Sequence, residues 1–335
     1  MIDDAALRRG LELTLEQTDF DDLGATRYRG KVRDCYVFPA GGGREAQRAI
    51  VVTDRISAFD HILGTIPFKG QVLNGIGAFW LEVTRETCAN HLVGVPDPVV
   101  TVGHECKPYA IEMIVRGYLT GSTKTAIWTH YAAGERVYCG HTLPDGLRKH
   151  ERLPQPLVTP TTKGAAGEHD VPISRDEIIA QGLASAEEFD VLAERALAVF
   201  ALGQELAAQR GLILVDTKYE FGRRVDPQTG KGGELVLIDE VHTPDSSRYW
   251  YADGYEEAMS AGEDPRALDK EFVRRSFAKE GYVGDGPPPP MSDELRIEAA
   301  RRYIEIYEQM TGTSFVPDLT PPAERIHTAL RTWRG

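Results

Sequence analysis

The stretch LILVDTKYEFG constrains the fold more than any other part of the sequence. It begins as an apolar strand, but Asp216, Lys218 and Glu220 are charged and lie two residues apart. Side chains alternate between the faces of a strand, so these three share one face. The later ELVLIDE is nearly all apolar until it ends in Asp239 and Glu240, and the two stretches predict an antiparallel hairpin. Its charged face either contacts solvent or lines a cleft, and the acidic end of an otherwise apolar strand pair favours the cleft.

Length and composition predict a globular protein with two closely packed lobes. The chain has 335 residues, more than a single core usually spans, with 41% hydrophobic and 27% charged residues. The net charge of -13 argues against nucleic-acid binding, because phosphate backbones are bound by an excess of Lys and Arg. There is no apolar run of about eighteen residues and no secretory leader, so we expect no membrane association and a cytoplasmic location.

Several common motifs are missing from the sequence. It contains neither a Walker-type phosphate loop nor a GxGxxG motif, so P-loop and dinucleotide-binding folds lose their main support. The cysteines are scattered, without a Cys-x-x-Cys pair, at Cys35, Cys88, Cys106 and Cys139. We therefore expect reduced thiols rather than a zinc site or a disulfide framework.

Hydrophobic periodicity and turn residues predict a mixture of strands and helices. KVRDCYVF and RAIVVTD, with AGGG as the turn, predict a hairpin, and EMIVRGYLTGS predicts a strand. A long loop is expected from Cys139 to Pro172, and the prolines of GDGPPPP predict a stiff connector. Capping boxes mark two helix starts, since a Ser is followed three residues later by a Glu. Four helices are expected: one over 76–88, one that begins at 174, one from 185 to 211, and a final one over 292–310.

Four further stretches carry residues of the kinds that bind phosphate or carboxylate groups: RGKVRD, VRGYLTGS, TPTTKGAAGEHD and DEVHTPDSSRYW. In the first, Gly30 lets the backbone approach a phosphate that Lys31 and Arg33 would bind. In the last, Arg248 is suited to bidentate phosphate binding. Each stretch also has an ordinary interpretation, as a basic surface turn, a surface ion pair, a turn cap or, at His169, a hydrogen-bonded loop histidine.

The end of the predicted hairpin is a candidate metal site. Glu220 and Asp239 would approach each other as oxygen ligands of a hard cation. Mg²⁺ is commonly bound through one or two carboxylates together with substrate phosphates. Lys218 between them would neutralise the cluster and hold an anionic substrate.

Taken together, six stretches resemble the SAICAR synthetase (phosphoribosylaminoimidazole-succinocarboxamide synthase) family in their order along the chain: GKVRD, TDRISAFD, IEMIVRGYLTGS, TPTTKGAAGEHD, LVDTKYEFG and DEVHTPDSSRYW. One position departs from the family, because Ala110 stands where a proline is usual. The resemblance implies an α+β, two-lobed, ATP-grasp-like fold with ATP in the cleft. Residues 1–110 would form a β-rich N-terminal lobe with the phosphate-binding hairpin, and residues 111–335 a larger α+β lobe.

The resemblance also implies an activity. It is the ATP-dependent joining of L-aspartate to carboxyaminoimidazole ribonucleotide (CAIR), which gives SAICAR, ADP and phosphate through an acyl phosphate, with Mg²⁺ as cofactor. All partners would be small molecules, and the protein would be a monomer or a small homo-oligomer. By position, ATP would contact Lys31, Arg33, Glu112 and Lys163, and Mg²⁺ would be bound by Glu220 and Asp239. The catalytic candidates are Asp216 and Lys218, and the substrate side would comprise Ser57, Asp60, Arg116, Ser122, Asp170, Arg248 and Arg274.

Two other functions remain open from the residues alone. A small-molecule kinase of related fold would use the same charged groups for phosphoryl transfer to a hydroxyl. A non-catalytic nucleotide-binding module would bind ATP without releasing phosphate, but it would give Lys218, Glu220 and Asp239 no reason to occur together.

Overall fold

The computed structural model describes residues 2–58, 61–163, 170–226, 232–268, 271–282, 284 and 286–334. Its strands are β1 (Thr26–Arg29), β2 (Arg33–Phe38), β3 (Gln47–Val52), β4 (Arg55–Ala58), β5 (His61–Thr65), β6 (Leu92–Asp97), β7 (Val100–His104), β8 (Cys106–Pro108), β9 (Ile111–Tyr118), β10 (Val137–Tyr138), β11 (His141–Thr142), β12 (Arg152–Val158), β13 (Thr161–Thr162), β14 (Leu212–Val225), β15 (Gly232–Ile238), β16 (Ser247–Tyr251) and β17 (Ala267–Leu268). Its helices are α1 (Asp4–Glu12), α2 (Lys69–Val83), α3 (Ile127–Ala132), α4 (Arg175–Ala180), α5 (Ala186–Gln209), α6 (Tyr255–Ala261), α7 (Glu271–Lys279), α8 (Asp293–Thr311) and α9 (Pro322–Arg334). Every helix in these ranges is too short or too polar to cross a lipid bilayer.

The first sheet has the strand order β1-β2-β3-β7-β6, and all its neighbouring strands are antiparallel. The predicted hairpin of KVRDCYVF and RAIVVTD is confirmed by the pairing of β2 with β3. Burial alternates along β2, because Tyr36 and Phe38 pack into the core of this sheet. Arg33 and Cys35 therefore lie on the opposite face, which turns toward the second sheet.

The second sheet is built on β14, a strand of 14 residues. Its first part pairs with β9 and β16, and its second part pairs with β15 and β8. The predicted hairpin of LILVDTKYEFG with ELVLIDE is confirmed, with Glu220 opposite Ile238. The chain passes from the first sheet to the second near Glu105, between β7 and β8. The division into 1–110 and 111–335 stays a prediction.

Helix α5 packs across β14 and β9 and contributes to the largest hydrophobic core. Both predicted capping boxes are formed, by Ser174 with Glu177 and by Ser185 with Glu188. In each, the serine accepts a hydrogen bond from a backbone N–H that the helix leaves unpaired, and the glutamate accepts one from the serine N–H. These caps fix where α4 and α5 begin.

The helix predicted over 76–88 exists, but its predicted bounds are wrong, because α2 covers Lys69–Val83. It begins early because Asp54 Oδ1 accepts a hydrogen bond of 2.8 Å from the Gly70 N–H in the first turn. It ends at Val83, with Thr84 as the C-cap residue, whose Oγ1 donates to the Trp80 carbonyl at 2.6 Å. Residues 84–87 are all polar, so the predicted end at Cys88 lay beyond the apolar pattern.

The long loop predicted from Cys139 to Pro172 is also wrong in part, since it contains β11, β12 and β13. Pro154 and Pro156 suggested a loop but lie in β12, at the edge of the second sheet. Prolines are tolerated on edge strands, and the pairing of β12 with β9 is irregular between Arg152 and Leu157, where they occur.

The predicted helix over 292–310 is confirmed as α8, but it is not the final helix. Helix α9 follows it and returns to the first sheet, where Ile326 and Leu330 pack against Val100 and Val102. Its first residue, Pro322, suits the start of a helix because that position needs no N–H donor. The last helix in the sequence therefore covers the first sheet.

Candidate active site

The charged face predicted for β14 is confirmed. Residues 215, 217, 219 and 221 are buried on one side of the strand. On the other side, Lys218 Nζ donates to Glu112 Oε1 and to Glu220 Oε1, both at 2.8 Å. Glu112 comes from β9, which pairs with β14 directly at this point. Glu112 of β9 therefore joins Lys218 and Glu220 of β14 in one charged cluster across two neighbouring strands.

Glu220 and Asp239 line the same cavity of about 230 Å³ between the two sheets. Glu220 lies opposite Ile238, so in a regular strand the next residue, Asp239, would point to the other face. Asp239 instead has a φ of 64°, in the left-handed region that non-glycine residues seldom adopt. This break in the alternation brings both carboxylates to one cavity.

Each carboxylate of the cavity is paired with a cation. Lys163 binds Glu220, and Arg33 from the first sheet binds both Asp239 and Glu240. The ion pairs of Arg33 cross between the two sheets, since Asp239 and Glu240 follow β15. The sequence-predicted ATP residues Arg33, Glu112 and Lys163 thus meet the predicted metal residues.

Burial and charge act in opposite directions on these groups. Burial raises the pKa of Asp239, but the charges of Arg33 and Lys218 outweigh it, and its pKa lies below the usual value. Burial lowers the pKa of Lys218, but Glu220 and Glu112 outweigh it and the pKa is raised. Burial raises the pKa of Glu112, an effect that Lys218 opposes and that the Asp170 charge adds to. Lys218 and Asp239 therefore remain ionised near neutral pH.

A second charged group surrounds Asp216. Its Oδ2 accepts hydrogen bonds from Arg116 Nη1 at 3.3 Å and from Arg248 Nη1 at 2.5 Å. Strand pairing brings them together, because Asp216 lies opposite Arg116 on β9 and opposite Arg248 on β16. Arg116 also donates to Thr159 Oγ1 at 2.9 Å and is buried, whereas the Arg248 side chain is 46% exposed. Arg248 is therefore oriented by Asp216 and still accessible to an anion.

The other predicted residues are more scattered. Lys31 is exposed before β2, and its carbonyl accepts a hydrogen bond from Arg55 Nε at 2.9 Å. Ser122 is exposed and follows Gly121, which lies close to Arg248. Ser57 lies in β4, Asp170 is exposed near β13, and Arg274 lies on α7. Asp60 and His169 lie outside the described residues, and the roles of all these residues stay predictions.

Sequence reasoning missed two residues that support the site. His91 Nε2 contacts the carbonyl of Asp239 at 3.2 Å, and burial lowers the pKa of His91 to about 4. Lys69, at the start of α2, is buried and lies 3.3 Å from Asp245 Oδ2. Neither residue lies in a stretch with a recognisable motif, and both meet their partners only through the fold.

Glu220 and Asp239 fit a magnesium ion in their chemistry. Within the described ranges, no group of three or more His, Cys, Asp and Glu side chains is arranged to hold a metal by itself. Mg²⁺ does not need one, because it is usually bound through one or two carboxylates, waters and substrate phosphates. All four cysteines are free thiols, so no disulfide closes the cavity.

The chain is similar to known proteins over most of its length. A sequence model described as SAICAR synthetase matches residues 26–288. A phosphoribosylaminoimidazole-succinocarboxamide synthase of Legionella pneumophila (strain Paris) is 47% identical over 312 residues, which cover 92% of this chain and 96% of that protein. One from Bacteroides thetaiotaomicron is 48% identical over 317 residues, with coverages of 93% and 96%.

Solved structures have the same architecture. SAICAR-synthase from Saccharomyces cerevisiae, complexed with SAICAR, matches with a TM-score of 0.76 and 30% identity, over 91% of this chain and 100% of that one. A SAICAR synthetase in complex with ADP matches with a TM-score of 0.62 at 23% identity, over 87% of this chain and all of that one, and shares the fold.

These matches define the class of protein as an ATP-dependent ligase of purine biosynthesis. The chain belongs to the SAICAR synthetase family, since the family model spans well over half of its length. The reaction of this family joins L-aspartate to CAIR and gives SAICAR.

Proposed function

We propose that this chain carries out the ligase reaction in the cavity between the two sheets, with ATP bound beside Arg33 and Lys163. The observation that carries the proposal is that Arg33 from the first sheet and Lys163, which follows β13 of the second sheet, meet the carboxylates of Asp239 and Glu220 at one cavity. We also propose that the protein has a two-lobed, ATP-grasp-like fold, that it is cytoplasmic, and that it is a monomer or a small homo-oligomer.

Arg33 and Lys163 are the groups that would bind the phosphates of ATP. Each is now paired with a carboxylate, and each would exchange that partner for phosphate oxygens when the nucleotide binds. Glu220 and Asp239 would hold Mg²⁺, which supplies neutralising charge for the phosphates when it is bound. The exchange keeps every buried charge paired, which is necessary because an unpaired buried charge is costly.

Asp216 would orient the substrate side of the cavity. It fixes Arg248 and Arg116 through one carboxylate oxygen, and the exposed guanidinium of Arg248 suits the phosphate of the ribonucleotide. Lys218 lies between this pair and the metal carboxylates along β14 and would neutralise the reacting carboxylate of CAIR. Arginine and lysine are therefore placed where negative charge gathers during the reaction.

The chemistry requires activation of a carboxylate. The CAIR carboxylate resists attack by the amine of aspartate, because the leaving group would be oxide. Phosphoryl transfer to that carboxylate gives an acyl phosphate, and the amine then forms the C–N bond as phosphate leaves. Such transfer depends on positioning and charge neutralisation, which the ion-paired cavity would supply without a dedicated nucleophile.

The metal assignment predicts the effect of two isosteric variants. Glu220→Gln and Asp239→Asn should each lower turnover by at least about tenfold, or about 1.4 kcal/mol of barrier, and raise the Mg²⁺ concentration needed for half-maximal rate. The measurement is SAICAR formation over a Mg²⁺ titration. Glu234→Gln is the matched control, because Glu234 lies on β15 with a side chain that is 54% exposed. Near-normal activity of both site variants would refute the metal assignment.

Aspartate dependence distinguishes the ligase from a kinase or a binding module. The proposal requires ADP release to depend on both CAIR and L-aspartate and to match SAICAR formation. Steady ADP release with CAIR but without aspartate would favour a kinase. Nucleotide binding without any ADP release would favour the non-catalytic module.

A further inference from the structure

The turn between β15 and β16 has a strained backbone. Asp239 and His242 have φ values of 64° and 54°, in a region that is unfavourable for side chains with a Cβ. Such strain persists only where the surrounding structure imposes it, and it is common at functional sites. The turn carries Asp239 and Glu240 at one end and precedes Arg248 at the other.

His242 belongs to this turn, is completely buried, and is contacted by residues of several elements. Its Nε2 is hydrogen-bonded to Tyr219 Oη of β14, and its carbonyl accepts a hydrogen bond of 3.0 Å from Tyr249 Oη of β16. The edge of the ring meets Trp80 of α2, with ring centroids 4.6 Å apart. Burial lowers the pKa of His242 to about 3, so the ring is neutral.

The helix above this residue leaves room for it. Gly203 lies inside α5, where glycine is less favourable than alanine. A Cβ at this position would lie 2.2 Å from Cε1 and 2.8 Å from Nδ1 of His242. In the described part of the chain, His242 Nδ1 has no hydrogen-bond partner. A strained turn, an interior helical glycine and an unpaired buried nitrogen are each unfavourable for stability, and all three occur at His242.

The partners of His242 are sequence neighbours of the reacting residues on the other face. Tyr219 lies between Lys218 and Glu220, and Tyr249 follows Arg248. A displacement of His242 would therefore be transmitted to the cavity through short pieces of backbone. The geometry does not require His242 to contact a substrate, because the ring faces α5 and α2.

We propose that Tyr219, His242 and Tyr249, with the space left by Gly203, form a buried lock that positions Asp239 and Glu240 against Arg33. His242 and Tyr219 are positioning residues, and the lock acts on the metal and nucleotide side of the cavity. The inference rests on the proposed role of Asp239 in the ligase reaction.

Tyr219→Phe tests the lock, because it removes only the hydroxyl that bonds His242. We expect kcat to fall by about tenfold, as is typical when catalytic groups are slightly misplaced, and the Kd of Mg·ADP, measured by calorimetry, to rise several-fold. The KM of L-aspartate should change by less than about twofold. Tyr131→Phe is the matched control, since Tyr131 is also buried and its hydroxyl donates to the Pro144 carbonyl, away from the cavity.

A second variant and a double variant separate positioning from general destabilisation. Gly203→Ala should give the same kinetic pattern, because the new methyl group displaces the imidazole from the opposite side. Combining Tyr219→Phe with Asp239→Asn should cost little beyond Asp239→Asn alone, because both changes act through the same carboxylate.

The outcomes distinguish the two hypotheses. If Asp239→Asn does not alter Mg²⁺ dependence, the proposed function of the turn fails, and the lock fails with it. If Asp239→Asn has its expected effect and Tyr219→Phe keeps wild-type kcat and Mg·ADP affinity, only the lock is overturned. Fully additive losses in the double variant would also overturn it.

Discussion

His91 should make the protein lose stability in acid. Burial lowers the pKa of its imidazole to about 4, whereas an unperturbed histidine has a pKa near 6.5. Between these values the unfolded chain binds a proton that the folded chain does not, so the free energy of unfolding falls as the pH drops. From about pH 8 to about pH 5 the expected loss from this residue is about 2 kcal/mol.

His91→Gln isolates this contribution. The glutamine amide can donate to the Asp239 carbonyl as His91 Nε2 does, but it does not titrate. Urea unfolding at both pH values measures the loss of stability in each protein. The variant should lose about 2 kcal/mol less than the wild type between these pH values. His61→Gln is the control, because His61 is exposed and its replacement should leave the wild-type dependence.

The reasoning fails if His91→Gln and the wild type lose the same free energy over this range. His242 should add a loss of similar size, since burial lowers its pKa to about 3. His242 should therefore account for part of the acid sensitivity that remains in His91→Gln, and urea unfolding of a variant of His242 at both pH values measures that part.

Two further variants test the substrate side and a helix start. Arg248→Ala should raise the KM of the ribonucleotide by at least about tenfold, because a charged hydrogen bond is worth about 1.5–3 kcal/mol. The KM of ATP should stay constant in Arg248→Ala. Arg152→Ala, on the edge strand β12, is the control, because Arg152 is exposed and its replacement should change neither the KM of the ribonucleotide nor that of ATP. An unchanged KM of the ribonucleotide in Arg248→Ala would contradict the proposed role of Arg248. Ser185→Ala should lower the free energy of unfolding by about 1 kcal/mol, because it removes the cap that accepts the Glu188 N–H at 3.1 Å; an unchanged urea midpoint would contradict this.

Local patterns predicted the parts of the fold that depend on neighbouring residues. The alternation of LILVDTKYEFG predicted both the charged face of β14 and its pairing with β15, because strand periodicity is a property of the backbone. The capping boxes at Ser174 and Ser185 predicted two helix starts because their hydrogen bonds join residues only three positions apart. The motif residues were expected near one another, and ion pairs join them to a single charged cluster: Lys163 pairs with Glu220, Lys218 pairs with both Glu112 and Glu220, and Arg33 pairs with Asp239.

Long-range packing accounts for what the sequence did not predict. The side chain of Asp239 reaches the cavity because its backbone is left-handed, and no local sequence pattern predicts that conformation. The contact of His91 with the Asp239 carbonyl joins residues 148 positions apart. Helix α9 has a clear apolar stripe, but its role depends on a sheet more than 200 residues earlier.

Helix α9 also has a consequence for the order of folding during synthesis. The core of the first sheet includes Ile326 and Leu330, and Arg44 of that sheet's β2–β3 turn donates to the Arg334 carbonyl at 2.7 Å. Because translation proceeds from the N-terminus, Arg33 and its neighbours emerge from the ribosome long before the helix that covers their sheet. The strands of the first sheet must therefore wait, with one apolar face uncovered, until residues 322–334 have been made.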